Sequence, residues 1–169
     1  MSNDARKYAF LMIDYEMPEF IKEIQNKIKE EELYVKDDEY GIEKESHVTL
    51  VPCLSNDVDL EKLKTYLDDL SNYKIFLTDI SKFECEEFDV LKCRVSSLKL
   101  FETNEKIKKD YETFSEHKEY SPHLTIAYLK KGMADKYLKK LDKYIVLKPK
   151  NFRFSHWEND KCISTTFKT

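Results

Sequence analysis

Hydrophobic spacing along this chain switches between strand-like and helix-like periods, and it runs through one order of elements twice. In the first pass, Tyr8 to Ile13 reads as a strand. Pro18 then opens a helix carrying Ile21, Ile24 and Ile28 at spacings of three and four. An acidic loop leads to Ser46, and a strand follows from His47 to Leu54. A helix beginning near Asp57 stripes Leu60, Leu63, Leu67 and Leu70 along one face, and Lys74 to Phe83 closes the pass as a strand.

The second pass has a strand at Asp89 to Val95 and a helix from Leu98 to Phe114, with Ile107, Tyr111 and Phe114 as its later stripe. A strand from His123 to Leu129 comes next, and Tyr137, Leu138 and Leu141 mark a helix. Asn151 to Trp157 and Cys162 to Phe167 form a closing hairpin around Glu158-Asn159-Asp160. The reading is one α+β unit over residues 1–169, built from two lobe-forming repeats at about 7–84 and 88–169, with no linker between them. Two glycines and four prolines in 169 residues agree with regular elements joined by short connections.

The repeats carry one shared chemical signature. His47-Val48-Thr49 and His123-Leu124-Thr125 fall at the same station of each pass. Side chains alternate across a strand, so each imidazole shares a face with the hydroxyl two residues on, and Val48, Leu50, Leu124 and Ile126 turn to the core. A pseudo-twofold relation between the passes sets the two pairs facing each other across a groove. Phosphodiester cleavage asks for such a set: a base for the attacking hydroxyl or water, an acid for the departing oxygen, and donors for the non-bridging oxygens. Histidine fills either proton-transfer role near neutral pH, and no metal is needed. With four histidines and nine threonines, two His-x-Thr motifs arise by chance about one or two times in a hundred. The competing reading is a pair of half-buried histidines bonded to their own threonines.

The segments His47-Val48-Thr49-Leu50 and Ser121-Pro122-His123-Leu124-Thr125-Ile126-Ala127-Tyr128 resemble the paired signatures of the 2H phosphoesterase superfamily. That superfamily includes RNA 2′,3′-cyclic phosphodiesterases (also called 2′-5′ RNA ligases), viral 2′,5′-oligoadenylate phosphodiesterases and phage enzymes that destroy cyclic oligonucleotide immune signals. The resemblance implies a bilobal LigT-like fold, two antiparallel sheets flanking a central groove with helices outside. It makes His47 and His123 the acid and base, with Thr49 and Thr125 as phosphate ligands and no cofactor. Glu119-Tyr120-Ser121-Pro122-His123 and the Lys-, Glu-, Tyr- and Ile-rich composition are similar to phage-encoded members.

Charge narrows the substrate. The net charge is −4, and the Lys-rich stretches alternate with acidic and apolar residues as solvated helix faces do, so no extended nucleic-acid track is expected. Asp37-Asp38-Glu39, Glu43 and Glu45 precede the first motif, which favours a small nucleotide over long RNA. Trp157, Tyr8, Phe10 and Tyr128 are the candidate substrate-binding rings; Trp157 is weighed against covering the edge of a lobe, and core packing claims one of Phe10 and Tyr8. Lys92 and Arg94 face either the groove or water, His117 reads as a surface histidine, and His156 lacks a threonine at +2. The four cysteines, Cys53, Cys85, Cys93 and Cys162, form no C-x-x-C pair and read as reduced thiols. The apolar runs are strand-sized and the N-terminal residues polar, so the expectation is a cytoplasmic monomer with no membrane span.

Overall fold

A computed structural model describes residues 8–37, 39–115, 119–159 and 161–168. The chain runs β1 (Ala9–Tyr15), α1 (Glu19–Gln25), β2 (His47–Leu54), α2 (Leu60–Leu70), β3 (Ile75–Glu84), β4 (Phe88–Ser96), α3 (Leu98–Asp110), β5 (His123–Lys130), β6 (Lys139–Leu147), β7 (Pro149–Glu158) and β8 (Lys161–Lys168). The strands form two four-stranded antiparallel sheets, ordered β2-β1-β7-β8 and β5-β4-β3-β6. This is the expected α+β arrangement of two antiparallel sheets.

Each sheet draws on both passes of the sequence. β3, which closes the first pass, pairs with β4 and β6 in the second sheet, and β7 from the second pass pairs with β1 in the first. The sheets match strand for strand: β1 corresponds to β4, β2 to β5, β7 to β3 and β8 to β6. The two histidine strands are therefore both edge strands, and they lie in contact with each other.

One helix from each pass crosses to the other sheet. α1 starts on Pro18, buries Ile21 and Ile24, and packs against β5. α3 buries Leu100, Thr103, Asn104 and Ile107, and packs against β2 and α2. α2 begins where the Asp59 carboxylate accepts from the amides of Glu61 and Lys62, and it buries Leu63, Leu67 and Leu70. The core is continuous across both sheets, from Leu11, Ile13 and Phe152 to Leu77, Leu91 and Ile126.

Loops complete the exchange. Leu33 and Ile42 bridge Leu129 and Ala127 beside β5, and Thr113 bridges Leu54 beside β2. Each histidine strand is thus covered on its outer side by a strap from the other pass. An acid anchors each strap. Glu32, before the first, meets Lys136 and accepts from the Tyr137 hydroxyl; Asp110, before the second, meets Lys62 at 3.0 Å and accepts from the Tyr66 hydroxyl.

Two expected helix bounds change. The segment marked by Tyr137, Leu138 and Leu141 is a short 3-10 turn at Asp135–Tyr137 followed by β6, not a helix. Pairing of Leu147, Val146 and Ile145 with Ile75, Phe76 and Leu77 outweighs the local spacing of apolar residues there. α3 stops at Asp110 rather than Phe114, because Tyr111 is extended and the chain joins β2 as a strap. Ile28 lies just past α1 and still packs on the core. His117 and Asp160 lie outside the described residues.

Candidate active site

The two histidine strands are built alike in detail. Along β2, His47 and Thr49 are half-buried while Val48 and Leu50 are fully buried; along β5, His123 and Thr125 alternate with Leu124 and Ile126 in the same way. Each strand then carries a bulge three residues past its histidine. Thr49 pairs with Met12 and Val51 with Leu11, leaving Leu50 outside the register. Thr125 pairs with Lys92 and Ala127 with Leu91, leaving Ile126 outside it. A bulged residue has no ladder partner of its own, so its carbonyl takes donors from outside the sheet, and Ile126 O already accepts from the Glu43 amide of the strap at 3.1 Å. The side-chain amide of Asn104 on α3 donates to Leu50 O at 2.7 Å, and that of Gln25 on α1 donates to Ile126 O at 3.0 Å and to Glu43 O at 2.7 Å. Each motif is locked by an amide from the helix of the other pass.

The segment before the second motif also reaches the first. The Tyr120 hydroxyl donates to Thr49 O at 3.1 Å, and burial pushes its ionisation far above the usual tyrosine range. Its ring meets Phe101 edge-on at 5.3 Å. The two His-x-Thr pairs are therefore tied together through Tyr120, on edge strands already in contact.

The surroundings of the histidines differ. On β1, Asp14 stands across from His47, and Glu45 Oε2 lies 3.9 Å from His47 Nδ1. Arg153 on β7 donates to Asp14 at 3.0 Å and to Glu45 at 2.6 Å, and its hydrogen bond holds the Glu45 carboxyl below the usual carboxylate range. Among the described residues His47 Nδ1 is buried and has no hydrogen-bond partner. A hollow of about 230 Å³ is lined by Asp14, Glu45, Asn151 and Arg153, with Ser46, the residue before His47, at its wall. A larger one of about 410 Å³, lined by Thr78, Asp79 and residues 140–144, lies against the β3–β6 pairing.

On β4, Arg94 stands across from His123 and Lys92 across from Thr125. His123 Nδ1 lies 2.7 Å from Ser121 O; since a carbonyl only accepts, Nδ1 carries the proton and Nε2 keeps the lone pair in the neutral ring. The His123 and Phe83 rings meet nearly at right angles, 4.9 Å between centres.

The aromatic candidates scatter. Phe10 is half-buried across from Ser155, on the His47 face. Tyr8 stacks on Phe114 of the strap at 4.7 Å. Trp157 is half-buried across from Cys162, two residues beyond Ser155 towards the hairpin end. Tyr128 sits among Tyr40 and Phe88, and burial lifts its hydroxyl to about 12. Sequence reasoning did not single out Asp14, Arg153 or Phe83, and it noted Tyr120 only as part of the segment Glu119 to His123. Only the apolar doublets Leu50-Val51 and Ile126-Ala127, which break strand alternation at matched positions, hinted at the bulges.

No family model matches the sequence, and no curated protein matches it. Solved structures do match over nearly the full length. TT0787 of Thermus thermophilus is 15% identical with a TM-score of 0.56, covering 95% of this chain and 97% of its own. Usb1 of Kluyveromyces marxianus is 10% identical with a TM-score of 0.54, covering 98% and 100%. E. coli LigT complexed with 3′-AMP is 17% identical with a TM-score of 0.51, covering 96% and 95%. At such identities the likeness is one of fold, and the chain has the LigT-like 2H phosphoesterase fold.

Proposed function

We propose that this chain, built on the fold of LigT, TT0787 and Usb1, is a metal-independent phosphodiesterase in which His47 and His123 move protons while Thr49 and Thr125 hold the phosphate. One imidazole takes the proton of the attacking water or ribose hydroxyl, and the other returns one to the departing oxygen. The threonine hydroxyls donate to the non-bridging oxygens as negative charge grows there. The carrying observation is the matched pair of motifs on touching edge strands, each bulged at the third residue past its histidine and locked by an amide from the opposite pass. A pair of structural histidines has no need of such matched bracing.

The substrate in this reading is a small cyclic or 2′-linked nucleotide. The net charge of −4 and the acids around His47 support it, as does the 3′-AMP held by the E. coli LigT of the same fold. The favoured case is a cyclic oligonucleotide immune signal destroyed by a phage-type enzyme, a monomer working in the host cytoplasm. A 2′,3′-cyclic phosphate at an RNA end is the second case, and a nucleotide-binding module without turnover the third. Phe10, Tyr8, Tyr128 and Trp157 are the rings offered to the bases.

Purified protein in EDTA, incubated with cyclic dinucleotides, cyclic trinucleotides, 2′,5′-oligoadenylate and 2′,3′-cyclic nucleotides, tests the proposal. Cleavage of at least one is expected, and cleavage of none sinks the enzyme reading. Product identity chooses among the substrate classes.

A further inference from the structure

Two cations on the open face of the second sheet have no part in the chemistry above. Lys92 and Arg94 are two apart on β4, so they share the face of Thr125 and His123, their cross-strand neighbours. Lys92 is 3% exposed. Its ammonium donates to Ser81 Oγ at 3.0 Å and lies 4.1 Å from the centre of the Phe83 ring. Among the described residues no carboxylate comes within 4.0 Å of it. Burial and the nearby Arg94 push its pKa down, with Asp79 opposing. A sequestered ammonium without a paired anion is costly, and one hydroxyl and one ring offset only part of that cost.

Arg94 is arranged differently. Its Nε lies 3.5 Å from Asp79 Oδ1, and 61% of the side chain is exposed, which leaves most of the guanidinium fork open to solvent. The matching positions on β1 are Met12, opposite Thr49, and Asp14, opposite His47. One wall of the site is cationic where the other is neutral and acidic. Lys92 and Arg94 are separated by roughly 6–7 Å of strand, comparable to the spacing of successive phosphates along an extended nucleotide chain.

We propose that Lys92 and Arg94 form a two-phosphate site on the second sheet: Lys92 and Thr125 hold the reacting phosphate, and Arg94 takes its neighbour. The preferred substrate is then an oligonucleotide with at least two phosphates, not a mononucleotide. The proposal rests on the phosphodiesterase reading and narrows its substrate.

Calorimetric binding to the His47→Ala protein, which removes turnover and leaves the second sheet's face unaltered, tests it with three probes. These are 2′-deoxyadenosine 3′-phosphate with one phosphate, linear d(ApAp) with two, and a cyclic deoxydinucleotide with two. Both two-phosphate probes should bind on the order of tenfold or more tighter than the first, because charge-assisted phosphate contacts are strong. Adding Arg94→Ala should erase that gain and lower the salt slope by about 0.7. Adding Lys92→Met should weaken all three probes. Where Lys92→Met fails to fold, Lys92→Arg replaces it and should keep the two-phosphate preference.

Equal binding of one- and two-phosphate probes overturns the proposal, as does an Arg94→Ala protein with an unchanged slope. If that happens while the probes still shift the His123 imidazole resonance, the catalytic reading stands and only the cation site falls. If no probe shifts His123, the catalytic reading falls too. The linear and cyclic probes identify which oligonucleotide form fits.

Discussion

His47 and His123 occupy matched stations but different fields. Around His47 stand Asp14 and Glu45, with Arg153 shared between them. Around His123 stand Arg94, Lys92 and the Phe83 ring, and its Nδ1 is committed to a carbonyl. The backbone scaffold is nearly symmetric, down to a bulge and an amide brace on each strand, while the side chains beside the two histidines are not. The matched frame sets two histidines at equivalent stations, and the residues facing them from β1, β4, β3 and β7 make their surroundings unequal. Symmetry lives in the bracing and asymmetry in the lining.

Removal of each imidazole has the largest expected effect. His47→Ala and His123→Ala should each lower kcat by about 10² to 10⁴-fold, with KM little changed, in single-turnover assays on whichever substrate the panel identifies. A loss below tenfold for one of them would mean that only one lobe performs chemistry.

The braces come next. Asn104 is fully buried, and its loss strands Leu50 O in the core, so Asn104→Ala should cost about 1–3 kcal/mol in urea unfolding. Gln25 is only half-buried and Ile126 O keeps the Glu43 amide as a donor, so the Gln25→Ala cost should be smaller, about 0.5–1.5 kcal/mol. Equal costs would show that neither burial nor the second donor on Ile126 O separates the two braces. Tyr120→Phe removes the bond to Thr49 O and should cost about 1 kcal/mol, with a modest fall in kcat as the first motif loosens. An unchanged kcat would show that this link leaves the first motif's geometry alone.

The smallest effect compares the straps. Lys136 and then Tyr137 hold the Glu32 carboxyl down to about 2, whereas Asp110, lowered by Tyr66 and then Lys62, is more exposed. A depressed folded-state value stabilises the protein above the ordinary carboxylate range, and the contribution is lost as pH falls towards about 2. Melting temperatures of wild type and Glu32→Gln should therefore differ at pH 6 and converge as pH drops towards that value. Asp110→Asn should give a smaller gap. A gap that persists at pH 2 would contradict the charge origin of the Glu32 anchor.

What the sequence disclosed divides along similar lines. β2 is bounded as read, and α2 and the hairpin of β7 and β8 follow closely, because strand alternation and helical spacing are strong there. β6 was unreadable, since Leu141 and Tyr137 mimic helical spacing and only pairing with β3 decides the matter. The histidines and threonines were legible as a pattern of two. Arg153 was not: it lies 108 residues from Glu45, and nothing local marks it as the partner of an acid beside His47. Lys92 and Arg94 were visible as groove-or-water residues, but which of them was packed down beside its neighbours depended on Phe83 and Ser81 on the next strand.

The uneven origin of the sheets bears on how the chain is assembled during synthesis. All four strands of the second sheet lie between residues 75 and 147, an unbroken stretch joined by local connections. The first sheet starts with β1 and β2 but finds its central partner, β7, only after residue 149. A ribosome delivering this chain from the N-terminus completes the second sheet while β1 still has one side unpaired. The earliest strands are thus the last to be enclosed, and His123 reaches a finished sheet before His47 does.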